Sequence, residues 1–303
     1  MIVILEQVAL LMLFVLVGYF LAKTKKADSS HSKLLSVLAV NVFLPATCFN
    51  TFVSNFTPAY LKENYMLLLV SAVSVIVAGI AAFFVAKHLS KDDYQRKVYQ
   101  YSLTTPNYGY MGYALAGGVF GDQVLLSVMM FALPVSVYTY TLGYCMLTKN
   151  KLTVKKLFNP VTMSMLLGAV VGLCGIKLPG FASSFLSKAG ACMGPAGMLL
   201  TGMVISEYKL RSLVSNKVVY LVAAIRLIVI PFILALALKA LSLDALVVPA
   251  LMVMAMPCGL NTIVFPKLVG EECETGASLA FVTSILCCIT IPICLAVFAN
   301  GAL

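Results

Sequence analysis

The chain has 303 residues, 61% hydrophobic and only 11% charged, with a mean hydropathy of +1.01. A soluble domain carries roughly 25% charged residues and must turn much of its surface to water, so this composition argues against a soluble enzyme. The net charge of +10 does not point to nucleic acid, because Lys and Arg sit in short clusters between apolar runs, as in juxtamembrane loops.

A helix crossing about 30 Å of hydrocarbon needs about 20 residues. Ten such runs are predicted, at residues 2–22, 34–54, 65–89, 98–120, 123–147, 158–176, 181–206, 215–240, 245–269 and 275–299. The first lacks a basic leader and a small-residue cleavage pattern, so it reads as a membrane helix and not a signal peptide. The connections are short, and the expected fold class is an all-α polytopic membrane protein.

Orientation follows from the basic residues. With the N-terminus outside, the inner connections hold Lys23, Lys25, Lys26, Lys33, Lys87, Lys91, Arg96, Lys97, Lys149, Lys151, Lys155, Lys156, Lys209, Arg211, Lys217 and Lys267. The outer ones hold only Lys62, Lys177, Lys188 and Lys239. One missed helix would invert every later loop and spoil this asymmetry. Both termini are expected on the non-cytoplasmic side of the cell's inner (plasma) membrane.

Five helices per half give two halves of opposite topology, residues 1–150 and 151–303. The halves echo each other. Span two holds Phe43-Leu44-Pro45-Ala46, and span seven holds Met193-Gly194-Pro195-Ala196. Span four holds Thr105-Pro106-Asn107 and Gly109-Tyr110-Met111-Gly112, and span nine holds Met256-Pro257-Cys258-Gly259-Leu260-Asn261. Spans five and ten carry Pro134 and Pro292, which read as ordinary kinks. A mid-span proline frees backbone groups that lipid cannot satisfy. Paired breaks at matching places in two halves therefore mark a transporter's binding site. Gly168–Gly172 and Gly190–Gly194 have the spacing of close helix packing.

Nine cysteines, mostly in apolar runs, form no Cys-x-x-Cys pair, and the two histidines, His31 and His88, lie in loops. No metal site, disulfide framework or cofactor is expected. Neither a His-Glu-x-x-His motif nor a Gly-x-Gly-Asp pattern around Gly121-Asp122 is present, so no enzyme activity is expected.

These motifs, in this order and over essentially the whole chain, resemble the auxin efflux carrier family, which includes plant PIN proteins and bacterial organic-acid permeases. The matching residues are Asn41-Val42-Phe43-Leu44-Pro45, Pro106-Asn107-Tyr108-Gly109-Tyr110-Met111-Gly112, Asn159-Pro160 and Met256-Pro257-Cys258-Gly259-Leu260-Asn261. The resemblance implies a fold shared with bile-acid symporters and sodium–proton antiporters, with spans four and nine broken and crossing at the midplane. It implies a scaffold of spans one, two, six and seven, a moving transport domain of spans three to five and eight to ten, and a homodimer. The long polar loop of plant members is replaced here by a connection of about Lys149–Leu157, as in a compact bacterial member.

The cargo implied is a small organic anion. Pro106 and Pro257 mark the breaks, where helix N-termini offer N–H groups and positive dipole ends. Asn107 and Asn261 supply side-chain donors. Asn41 is a candidate scaffold-side contact and Tyr108, with Tyr110 and Tyr113, a candidate pocket wall. Arg226, inside span eight, is either a counter-charge or domain latch, or a cation that snorkels to the inner surface. No Asp or Glu lies between Lys97 and Phe120 or between Ala245 and Lys267. That favours uncoupled anion transport over the alternative, a proton- or sodium-coupled malate/malonate-type dicarboxylate symporter. A membrane-embedded lipid or small-molecule sensor is the alternative from another class.

Overall fold

Long runs of Leu, Val, Ile, Ala and Phe without interior charge satisfy their backbone only as helices when water is absent. The computed structural model describes residues 2–149, 158–268, 271 and 273–298. Most of the Lys149–Leu157 connection and residue 272 lie outside them. Among the described residues the protein is all-helical, and its single antiparallel bridge joins Pro106 to Cys258.

The first half runs α1 (Ile2–Lys23), α2 (Ser29–Leu38), α3 (Leu44–Asn55), α4 (Pro58–Asn64), α5 (Met66–Leu89), α6 (Asp93–Thr104), α7 (Tyr113–Tyr138) and α8 (Tyr144–Thr148). The second runs α9 (Pro160–Leu173), α10 (Gly180–Ala191), α11 (Met193–Ile205), α12 (Leu210–Ser215), α13 (Lys217–Ala224), α14 (Ile230–Ala240), α15 (Val247–Met254), α16 (Asn261–Leu268) and α17 (Glu274–Phe298). Single π-helical turns join several of these, at Ala39–Phe43, Tyr108–Gly112, Thr139–Gly143 and Ile225–Val229. Two of the turns directly precede a proline near the start of the next α-helix, Pro45 and Pro231. The wider turn re-routes carbonyls that the missing proline N–H would leave free.

Among the described residues, seven helical stretches are long and apolar enough to cross a membrane: Val3–Lys23, His31–Asn55, Met66–Leu89, Tyr108–Thr148, Gly180–Ile205, Lys217–Ala240 and Glu274–Phe298. Pro160–Leu173 and Asp244–Met254 are apolar but shorter. The Tyr108–Thr148 stretch does not run straight. Gly121 adopts φ 79°, a conformation that suits glycine, and interrupts α7. A Cβ on Gly117 would lie 3.4 Å from the Leu125 side chain. Eight residues of straight helix span about 12 Å, so the chain doubles back here, between the predicted spans four and five. Pro134 and Pro292, by contrast, lie within continuous helices.

Packing relies on close backbone approach. A Cβ on Gly18 would fall onto the Leu199 carbonyl and one on Gly202 onto the Val15 carbonyl, so α1 and α11 touch backbone to backbone. Gly168 and Gly172 of α9 press in the same way on the Phe49 and Phe52 backbone of α3 and on the Phe56 carbonyl just past its end. Small residues serve this purpose where lipid removes the hydrophobic drive for helix association. The outer faces carry exposed Leu13, Phe20, Val73, Ile76, Phe84, Phe185, Ile233 and Ile289, a belt that suits lipid. Tyr108, Tyr110, Tyr113, Met111 and Met256 belong to the buried core, and Thr104, Thr105 and Thr283 are buried as well.

Candidate functional site

The helix that begins as α6 stops at Thr104, and the chain is extended at Thr105 and bends at Asn107 before winding on at Tyr108. The helix that begins as α15 stops at Met254 and resumes as α16 at Asn261. The two interruptions meet. The Asn107 N–H donates to the Pro257 carbonyl at 2.8 Å, and the Gly259 N–H donates to the Thr105 carbonyl at 3.3 Å. Pro106 and Cys258 thus form the pair whose own N–H positions point away from the partner strand. Proline, which has no N–H, fits such a position without loss. The Cys258 N–H is taken by Thr283 Oγ1 of α17 at 3.0 Å, while Thr283 donates to the Leu279 carbonyl at 2.6 Å. Gly259 stands where a Cβ would crowd the Thr105 and Pro106 carbonyls at 3.3 Å.

A small cavity of about 20 Å³ lies against this crossing, lined by Leu44, Pro106, Asn107, Tyr108, Gly109, Tyr110, Tyr140, Val161, Gly259, Leu260 and Asn261. It therefore takes residues from both resumed helix starts, and none of its lining residues is acidic. The first N–H groups of a helix have no intrahelical acceptor, so both starts present donors and a positive dipole end toward it. Asn107 is 3% exposed, and its Oδ1 has no partner, nor do Thr105 Oγ1 and the Tyr110 and Tyr113 hydroxyls. Buried polar atoms are otherwise mostly hydrogen-bonded in folded proteins, and of these groups Asn107 and Tyr110 line the cavity. The Tyr108 hydroxyl, in contrast, pairs with Ser136 Oγ at 2.9 Å.

Of the residues singled out in the sequence, Pro106, Asn107, Tyr108 and Asn261 come together around this cavity. Pro257 backs it through its carbonyl. Asn41 sits elsewhere: its amide donates to the Val37 carbonyl at 2.9 Å on an exposed face of the helix. Arg226 is wholly buried and does not line the cavity. Its Nη1 donates to the Leu103 carbonyl at 3.1 Å and its Nε to the Met256 carbonyl at 3.3 Å. A snorkelling Arg226 is ruled out by that burial. Asn159, part of the sequence pattern, caps α9, its Oδ1 accepting from the Val161 and Thr162 N–H groups at 3.0 Å ahead of Pro160 at the first helical position.

Thr105 stands in the sequence motif of span four but was given no role there, and Tyr140, Val161 and Thr283 were not singled out. Only the run of hydroxyls in the middle of the last apolar stretch, Thr283-Ser284, signalled the last of them. A larger, open cavity of about 420 Å³ lies between α1, α3, α7, α10 and α11. Gln7, Thr47, Asn50, Thr51, Asp122 and Ser187 give it a polar lining, and Tyr113 forms part of its wall.

The chain matches the family described as membrane transport protein over residues 3–152 and 146–295. It is similar to an uncharacterized transporter of Methanocaldococcus jannaschii, 25% identical over 217 residues that cover 68% of this chain and 70% of that protein. It is also similar to an uncharacterized transporter of Methanothermobacter thermautotrophicus, 21% identical over 295 residues that cover 95% of this chain and 96% of that one. With matches across nearly its whole length and a helical body clothed in lipid-facing side chains, the chain belongs to the membrane transport protein family, that of the auxin efflux carriers, and is a multi-pass membrane transporter.

Proposed function

We propose that the protein carries a small organic anion, a carboxylate, through the crossing of its two interrupted helices. The observation that carries this reading is the convergence of two helix starts on one cavity whose lining holds no acidic side chain. N–H groups and helix dipoles recognise an anion without a fixed counter-cation. Asn107 and Asn261 add amide donors, Tyr110 adds a hydroxyl, and Pro106 and Pro257 hold the backbone open.

The cavity at the crossing, about 20 Å³, has room for about one water. Cargo is admitted by movement. In this reading α1, α2, α3, α9, α10 and α11, spans one, two, six and seven, form the scaffold, and spans three to five and eight to ten slide against it, elevator fashion, to alternate access. The seven long stretches become ten spans in two inverted halves when Tyr108–Thr148 counts as two passes about Gly121 and the shorter α9 and the interrupted α15–α16 count as one each. The packing supports this: the first span grips the seventh through Gly18 and Gly202, and the second grips the sixth through Gly168 and Gly172, which are equivalent pairs if the halves are related. The open cavity on the N-terminal side of the crossing serves as the outer access route. The basic residues of the inner connections favour both termini outside the plasma membrane, and the family resemblance supports a homodimer.

Transport is uniport. A negative interior favours anion exit by roughly 2.3 kcal/mol per charge per 100 mV, so the protein exports by default. Purified protein in liposomes, with potential, sodium and pH gradients imposed separately, tests this. Flux that follows potential alone supports it. The unpartnered oxygens of Thr105 and Asn107 are acceptors suited to a cation, and strict sodium or proton dependence would establish the coupled dicarboxylate symporter instead.

A further inference from the structure

Two helix C-termini meet at the crossing as well as two helix starts. The last turn of α6 and the segment after α15 leave carbonyls without helical partners. The natural partner of the Leu103 carbonyl is the N–H four residues on, at Asn107, and that N–H is already given to Pro257. The Met256 carbonyl lies past the end of α15. Both carbonyls are buried at membrane depth, where an unsatisfied group is costly. Each helix C-terminus also carries about half a negative charge, so the two together carry about one.

Arg226 answers both needs from a third helix. It sits in the π-helical turn Ile225–Val229 between α13 and α14, a wider turn of the kind found at functional sites. Its side chain is wholly buried. One guanidinium nitrogen reaches Leu103 and another reaches Met256, while Nη2 is left without a partner. Among the described residues no carboxylate pairs with Arg226. Its charge is met by the two helix ends.

We propose that Arg226 is a positioning residue, a clip that binds the C-terminal ends of both interrupted helices to α13–α14 so that the crossing keeps its shape and moves as one body. This rests on the reading of the crossing as the cargo site, and it differs from a counter-charge that touches cargo. A rigid planar fork holds the two carbonyls through two separate nitrogens, whereas lysine brings its three donors on one nitrogen at the end of a flexible stem and does not reproduce that geometry. A counter-charge is restored by lysine, and a clip is not.

The test has two arms. In the first, the eight other cysteines are replaced and Cys258, 1% exposed beside the clip, reports on the crossing through alkylation by a membrane-permeant maleimide. Arg226→Gln and Arg226→Lys are each expected to label at least tenfold faster than the parent. In the second, malate flux in liposomes is expected to lose at least tenfold in maximal rate in both variants, with KM within about threefold of the parent. Labelling at the parent's rate in Arg226→Gln overturns the clip, as does full recovery of flux in Arg226→Lys. A raised KM with unchanged maximal rate overturns it in favour of a counter-charge. Should Arg226→Gln not reach the membrane, the labelling rate of Arg226→Lys decides alone, fast for the clip and slow against it. The labelling arm needs no cargo, so a parent protein that moves no anion defeats the transport reading and leaves this test standing.

Discussion

The crossing turns on a few atoms whose roles differ although their residues look alike. Asn107 and Asn41 are both asparagines beside a proline-containing motif, but Asn107 is buried at the break with a free Oδ1, while Asn41 folds its amide back onto the Val37 carbonyl. The local sequence does not separate the two, because the difference lies in which face of the helix turns inward. Thr283 was harder still to read: its role is to accept the Cys258 N–H across 25 positions of chain, and nothing near it in sequence announces that partner. Asn107→Ala and Asn261→Ala are each expected to weaken cargo binding about tenfold, the loss of one charge-assisted hydrogen bond, measured as a rise in KM for anion flux. Asn41→Ala should leave KM unchanged. Thr283→Val removes the acceptor for a buried N–H, at roughly 1–3 kcal/mol. It should lower the thermal stability of the purified protein and slow flux, and a variant equal to the parent in both would remove Thr283 from the crossing.

At the scale of elements, the prolines and glycines of the sequence located the breaks and the tight crossings, because each has a direct backbone consequence. Gly168 and Gly172 were legible as packing residues from spacing alone, and they do meet the α3 backbone. Gly18 and Gly202, which make the α1–α11 contact, share no such motif: their partners lie far apart in the chain. Gly202→Leu places a side chain where the Val15 carbonyl already is. It should prevent α1 from seating and abolish monodisperse protein in detergent, whereas Gly180→Ala, with open space around it, should be neutral. Gly121→Ala forces a Cβ into a positive-φ turn at a cost of order 1–3 kcal/mol, and is expected to lower the melting temperature without changing KM. The π-helical turns were not legible, since their cause is a compromise between proline and the neighbouring helices and not a residue pattern.

For the whole molecule, composition alone established a membrane protein, and the family match carries it to a transporter. Which way it faces is read from Lys and Arg, an expectation that single-cysteine labelling from outside intact cells can check. Ser187→Cys, in the open cavity beside α10, should react with an impermeant reagent, and Ser212→Cys, near the basic Lys209-Leu210-Arg211 run, should not. The cargo is not written in any one stretch of chain. The cavity at the crossing draws its lining from α3, α9, the Thr139–Gly143 turn and both interrupted helices, and its shape depends on how these settle together. Its electrostatic character is legible, however: donors, helix dipoles and no acid. In the proposed mechanism an anion is bound at this crossing and moved with its charge. Uptake or release of labelled carboxylates should therefore be measured in liposomes under an imposed potassium-diffusion potential, for the parent and the Asn107→Ala/Asn261→Ala double variant. Flux is expected to reverse with the sign of the potential in the parent and to fall at least tenfold in the double variant at low cargo concentration. Flux indifferent to potential, or untouched by the double substitution, would contradict that mechanism.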